Sequence, residues 1–334
     1  MRNNRLAYNL SGIMRMLSPR FLLPNRDKIL HSLHQRDDIE YIKQRVDYYC
    51  QLDSKITLDE NAKNISCVRF AKKKTMYNFD AYEFTRYFPQ DFKAYFEFGD
   101  VNYICPKPSI TKSRPTQQAL KDKRLDSSIA YKNGEIVPFS NSTLLNLEKI
   151  RHFTFINDPY TFSTKQDKLF YRGGIYQAHR TQFFEKYFNH PLCDLGHTGH
   201  KSVHHAWQKP KISIAKHLPY KFLLSLEGND VASNLKWVMS SNSLAVMPKP
   251  KFETWFMEGN LEPDIHYLQI RDDYADVEEK LEYCLKNPSF AEGIIHNAHQ
   301  YVKQFFDKER EDIISLLVLE KYFYYTGQID SLRI

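Results

Sequence analysis

Between residues 168 and 270, short apolar segments alternate with glycine-bearing turns and amphipathic stretches, and this alternation restricts the fold more than any other feature of the chain. "DKLFYRGGIYQAHRTQFFEKYF" opens the pattern with an apolar strand, an Arg-Gly-Gly turn and a helix. "KFLLSLEGNDVASNLKWVMSSNSLAVM", residues 221–247, gives strand, turn, helix and strand, and a strand around 212–214 and "HYLQI" at 266–270 continue the alternation. Strands separated by helical segments predict a parallel sheet covered by helices.

The other half is read more coarsely. Residues 27–60 are polar with helical period; "ISCVRFAKKK" and "DFKAYFEFGDVNYI" read as strands, the second ending at Gly99-Asp100. Residues 106–127 hold three prolines and six lysines or arginines among few apolar side chains, which predicts a loop or mobile flap. "LEKIRHFTFIN", residues 147–157, reads as a further strand, and everything beyond about 274 as helix. At 334 residues two domains are the default. The expectation is an α/β chain with two facing Rossmann-like domains, at 1–160 and 161–305, and a helical tail at 306–334.

Composition limits the partners. No apolar run approaches the roughly 18 residues that a membrane-spanning helix needs. A net charge of +7 favours an anionic partner: nucleic acid, membrane surface, phosphorylated glycan or nucleotide. Cys50, Cys67, Cys105, Cys193 and Cys284 are widely spaced, odd in number and free of any CxxC pair, which argues against a disulfide framework or zinc ribbon. Pro24 and five arginines break up residues 1–26 before a secretory apolar region forms, so a cytoplasmic location is expected and the sequons at Asn64 and Asn141 are idle. The same stretch contains no acid and places Leu10, Ile13, Met14 and Leu17 at helical spacing. It reads either as a peripheral contact with an anionic membrane or as a basic helix packed on its own domain.

The two glycine turns carry the chemistry. Helices that start at the carboxyl ends of parallel strands point free N–H groups and partial positive charge at an anion. Gly228 permits close backbone approach there, and Asn229, Ser233, Asn234 and Lys236 offer donors and one charge to phosphate oxygens. Arg172, Gly173 and Gly174, followed by Arg180, form a similar arrangement with two guanidinium groups, and together the turns can clamp a diphosphate. Neither stretch fits the GxGxxG or GxxxxGK[ST] fingerprint, and ordinary strand-glycine-helix turns are the alternative.

"LFYRGG" followed by Arg180, "YFNHPLCDLG", "YKFLLSLEGNDVASNLKWVMSSNSLAVMPKPKFETWF" and "EPDIHYLQIRDDYADVEEKLEY" together resemble the lipopolysaccharide core glycosyltransferases of glycosyltransferase family 90, relatives of the protein O-glucosyltransferases. The resemblance runs in order from residue 168 to about 300, and "YFEFGDVNYICPKPSI" is its main trace in the first half. It implies a GT-B type, inverting, metal-independent transferase without a cofactor. Its C-terminal domain would hold a UDP-sugar, UDP-glucose or UDP-galactose, and its N-terminal domain would admit a lipopolysaccharide core acceptor, a heptose. The family's catalytic aspartate matches Asp100, and Asn234 stands where the family has a donor-domain arginine.

A carboxylate after a strand end suits this reaction, because inversion by direct displacement needs a base for the acceptor hydroxyl proton. A turn-forming Asp that caps the strand is the plain alternative. Glu253, in "KPKFETWF", is a partner for ribose hydroxyls or an exposed helix-start carboxylate. His197, His200, His204 and His205 have spacing that a transition metal tolerates, yet no cysteine or carboxylate completes a set, so a polar loop is favoured and no metal is expected. Among the aromatics Trp207, Trp237 and Trp255 are candidates to line a sugar cleft. Helix-turn-helix, RNP and zinc-finger signatures are missing, which argues against nucleic acid, and a sugar kinase lacks its phosphate loop. The remaining alternative is a noncatalytic binding protein for anionic glycan or membrane.

Overall fold

The computed structural model describes residues 4–23, 25–72, 75–132, 135–199 and 205–333. The chain is mixed α/β and divides into two compact units. One comprises Asn3–Arg151, Lys251–Met257 and Phe305–Ile334; the other comprises His152–Pro250 and Glu258–Gln304. Residues 306–334, expected as a separate tail, therefore belong with the N-terminal residues. The helix Lys308–Tyr325 is capped by Asp307, buries Ile313, Leu316, Leu317 and Phe323, and packs on the helix Ile39–Tyr49. A helix so apolar around its circumference has to be enclosed, and this unit encloses it.

In that unit, β1 (Lys63–Asn64), β2 (Lys93–Glu97), β3 (Ser109–Thr111) and β7 (Ser142–Leu144) form a sheet in the order β1-β2-β3-β7, parallel except at β1. β4 (Ser113–Pro115) pairs antiparallel with β12 (Phe252–Thr254), and β5 (Tyr131–Lys132) with β6 (Glu135–Ile136). The first part of the expected flap at 106–127 is thus internal, with Ser109, Thr111, Lys112, Ser113, Arg114 and Thr116 buried, whereas 117–127 is mostly exposed. Polar side chains can be buried where each finds partners. Arg114 donates from Nε to Glu253 at 2.7 Å, from Nη1 to Ser142 O at 3.0 Å and from Nη2 to Tyr48 O at 2.7 Å. The Ser113 hydroxyl donates to Val101 O.

Three other expected strands are replaced. Ile65 and Val68, three residues apart, bury one face of a short helix at Ser66–Arg69. Glu148 has φ 57°, which ends extended backbone before 149, and Lys149–His152 is helical. Residues 214–216 form a 3₁₀ turn.

The other unit holds a five-stranded, all-parallel sheet of β8 (Gln166–Gly173), β9 (Cys193–His197), β10 (Tyr220–Leu224), β11 (Leu244–Met247) and β13 (Leu268–Gln269). From one edge the order is β9-β8-β10-β11-β13, the 2-1-3-4-5 order of an open doubly wound sheet. Its strands are apolar where they are buried, Leu169–Tyr171 in β8, Phe222–Leu224 in β10 and Leu244–Met247 in β11, as in sheets covered on both faces. Leu169, Phe222, Leu224 and Val246 pack with Phe183, Leu281 and Ile294 from the helices. Chain direction from β8 leads to β9 on one side and to β10 on the other, so the carboxyl ends of β8 and β10 flank the topological switch point, where such sheets bind ligands.

Candidate active site

A cavity of about 140 Å³ lies at that switch point, lined from β8 by Phe170, Arg172 and Gly173 and from the β10 side by Leu224, Ser233 and Asn234. Gly174, Arg180, His217 and Trp237 complete its walls. Arg172, Gly173, Arg180, Ser233 and Asn234, drawn from both glycine turns, therefore share one enclosure.

Arg180 joins the two turns. Its Nη1 donates to Gly174 O at 2.8 Å, its Nη2 to Leu226 O at 2.7 Å and its Nε to Glu227 O at 2.8 Å. A guanidinium has five N–H groups in a rigid fork, so this role leaves donors over for a ligand. Arg172 is anchored to the sheet: its Nη2 donates to Asp194 Oδ1 at 2.6 Å, its Nη1 to the carbonyls of Tyr171 and Asp194, and its guanidinium lies 4.3 Å from the centre of the Phe170 ring. Asn234 donates to Leu224 O at 2.9 Å. Gln177 donates to the exposed Asn229 at 3.0 Å. A Cβ on Gly228 would meet Arg180 Nη2 at 3.5 Å, an ordinary contact, so the fold itself tolerates a side chain there. Burial holds His217 below the usual imidazole range, which leaves an uncharged ring in the wall, edge-on to Phe170 and Trp237.

A second constellation sits in the unit of residues 3–151, after β2. Gly99 has φ 128°, backbone that only glycine adopts readily, and it turns the chain into Asp100. Lys112 Nζ lies 2.5 Å from Asp100 Oδ1 and 3.6 Å from Glu148 Oε2. Arg151 reaches Asp100 at 3.4 Å and Glu148 at 3.3 Å, and the Tyr77 hydroxyl donates to Glu148 at 3.0 Å. Burial, with Glu148 adding to it, pushes the Tyr77 hydroxyl up, so it stays a donor. Two carboxylates and two cations thus form one network in which Asp100 is the partly exposed carboxylate and Glu148 the buried one.

Comparison with known proteins places these residues in context. The sequence model of glycosyl transferase family 90 matches residues 149–322. The chain is also 40% identical over 282 residues to the O-glucosyltransferase LpsA of Dichelobacter nodosus, covering 84% of this chain and 82% of that one. The chain belongs to glycosyl transferase family 90. Human protein O-glucosyltransferase 3 is 25% identical to this family 90 glycosyltransferase over 164 residues, 47% of this chain and 32% of that protein. An uncharacterised protein of invertebrate iridescent virus 3 is 28% identical over 101 residues, 30% of this chain and 9% of its own length. Asp100 lies outside the 149–322 match.

Two residues expected among the transferase's donor ligands have their charge taken up by other side chains. Lys236 is fully buried and its ammonium pairs with the buried Glu258, so the charge expected near a phosphate is spent on a carboxylate within the unit. Glu253 belongs to the unit that contains Asp100, where it pairs with Arg114 and accepts from the Tyr48 hydroxyl. Of the tryptophans, Trp237 lines the cavity, Trp207 packs on Phe184, and Trp255 stacks on Tyr49 at 3.8 Å. His197 is buried and accepts the Ile175 N–H at Nδ1, which fixes the turn after Gly174. His205 is exposed, and His200 and His204 lie outside the described residues. Among the described residues no three His, Cys, Asp or Glu side chains gather as a metal site. Lys112, Glu148, Arg151 and Asp194 were missed, the first because it stands in a basic, proline-bearing run that reads as loop.

Proposed function

We propose that this glycosyltransferase is an inverting, metal-independent enzyme of GT-B type. It would move a hexose, glucose or galactose, from a UDP-sugar to a heptose of a lipopolysaccharide core oligosaccharide in the cytoplasm. The observation that carries the reading is the 40% identity to an O-glucosyltransferase across most of both chains. The switch-point cavity supports it, because both arginine-bearing turns line one enclosure. Its 140 Å³ is below the ~300 Å³ of a cleft for a whole drug-sized ligand, so it suits one part of the donor.

In this mechanism the acceptor hydroxyl oxygen attacks the anomeric carbon as Asp100 takes its proton. The bond from that carbon to the β-phosphate oxygen breaks on the opposite face, and the electron pair leaves with UDP. The charge that grows on the phosphate is met by donors that line the cavity: the remaining N–H groups of Arg180, the Arg172 guanidinium, and the Ser233 and Asn234 side chains. Phe170, His217 and Trp237 supply an apolar wall with an uncharged imidazole, which suits a nucleobase face. Gly99 and Lys112 hold the Asp100 carboxylate in place.

The test is UDP release from UDP-glucose and from UDP-galactose, with EDTA present, with and without truncated lipopolysaccharide, in wild type and Asp100→Asn. Acceptor-dependent release from one donor, lost in the variant while UDP still binds, is expected. Absence of both binding and turnover with either donor sinks the proposal in favour of a noncatalytic glycan-binding protein.

A further inference from the structure

The helix Arg5–Leu17 presents its apolar face outward. Leu6, Leu10, Ile13, Met14 and Leu17 fall on one side at three- and four-residue spacing, and each is 45–73% exposed. The other side is fixed on the helix Met76–Thr85. Gly12 is buried so closely that a Cβ would meet the Phe79 ring at 2.5 Å, the Tyr8 hydroxyl donates to Asp80 at 2.6 Å, and Arg15 pairs with Glu83 at 3.2 Å. Rotation to hide the leucines would break all of these contacts. The apolar surface continues into the next turn through Phe21, 84% exposed, and Leu22. Phe70, also exposed, follows Arg69, whose Nε donates to Met16 O at 2.8 Å.

A contiguous exposed apolar face of this kind marks a contact surface. Charge decides what meets it. Residues 4–26 include Arg5, Arg15, Arg20 and Arg26 and no acid. Where the apolar turn ends, a pocket of about 300 Å³ is lined by Arg20, Arg26 and Arg86. Arg20 is aimed by bonds to the carbonyls of Arg86 and Phe88, Arg26 lies 4.0 Å from the buried Glu320, and the one carboxylate that lines the pocket, Asp27, is paired with Arg333. A second copy docked face to face would bring two arginine pockets together, which like charge opposes. Apolar side chains beside a basic pocket match the acyl boundary and phosphates of an anionic bilayer.

We propose that residues 5–22, with Phe70, dock this protein on an anionic phospholipid bilayer, Leu6, Leu10, Met14 and Phe21 entering the headgroup–acyl boundary and the Arg20–Arg26–Arg86 pocket taking a lipid phosphate. The proposal is independent of which sugar is transferred or to what. Among the described residues no helix is long and apolar enough to cross a membrane, and this surface requires none.

Flotation of the full chain with vesicles of phosphatidylglycerol and phosphatidylethanolamine, against phosphatidylcholine alone, tests it. The chain floats with the anionic vesicles and releases as salt rises. Leu10→Glu/Met14→Glu, with an unchanged melting temperature because both side chains face solvent, lowers the partition coefficient by roughly tenfold or more. Arg86→Gln weakens binding to the anionic vesicles and flattens the salt dependence. Failure of the wild type to float, or flotation of the double variant equal to wild type, overturns the proposal. So does a wild-type dimer that fails to float and that the double variant dissociates.

Discussion

The Lys112 ammonium, buried at 1% exposure, lies 2.5 Å from a carboxylate oxygen of Asp100, which is 28% exposed. The lysine is the fixed partner and the aspartate the accessible one. A buried cation that holds a partly exposed carboxylate, with Glu148 at 3.6 Å on its other side, fixes where that carboxylate points.

Removal of the cation takes one charged partner from the buried Glu148, which keeps Arg151 at 3.3 Å and the Tyr77 hydroxyl at 3.0 Å. Lys112→Met is expected to cost about 3 kcal/mol, read as a lower denaturant midpoint at constant slope. Under the proposed mechanism it also lowers kcat more than it raises the donor KM. Stability equal to wild type in urea would mean the pair is not needed for the fold.

Gly99, at φ 128°, admits no other residue without strain. Gly99→Ala is expected to destabilise by about 1–3 kcal/mol and to displace Asp100. Nothing lies within 4 Å of the added methyl group, so the loss is conformational rather than a clash. A melting temperature unchanged from wild type would refute it.

Arg180→Lys retains the charge and loses the fork. An ammonium cannot reach the carbonyls of Gly174, Leu226 and Glu227 in one plane, so the two turns separate. UDP affinity by calorimetry is expected to fall about tenfold or more, and a lysine variant that binds as wild type would show that charge alone suffices.

Asp80 is buried beneath the helix Arg5–Leu17, and burial pushes its carboxyl up to about 6, against the partly compensating Lys149 and Tyr8. A raised native value means the folded state binds the proton more tightly than the unfolded one. Its contribution is therefore complete below about 4 and is lost as pH rises through about 6. Asp80→Asn is expected to flatten that part of the stability curve, measured by urea denaturation at a series of pH values. A slope that persists in the variant would locate the titration elsewhere.

The parallel sheet was legible because β8, β10 and β11 are apolar on both faces, as strands covered on both sides by helices must be. Both glycine turns were legible for the same reason, each following directly on such a strand. The run from Ser109 to Thr116 was not. Its serines, lysine and arginine look like a solvated loop, and what allows their burial is partners remote in sequence: Glu253 and Ser142 for Arg114, Glu148 for Lys112. Lys236 failed in the opposite direction: it stands at a helix start as a phosphate ligand would, and Glu258, 22 residues on, claims it. Gly99-Asp100 marked the position of a candidate base, whereas Lys112 and Arg151 that hold it carry no local signal at all.

The path of the chain bears on how the protein is made. Residues 251–257 leave one unit to supply β12 to the other, and 305–334 return to that other unit again. During synthesis the β8–β13 sheet can close once residue 304 has emerged from the ribosome. The unit begun first must wait for the helix Lys308–Tyr325 before its interior is dry. The unit begun first is therefore the one completed last, because Ile313, Leu316, Leu317 and Phe323 of that helix belong to its interior.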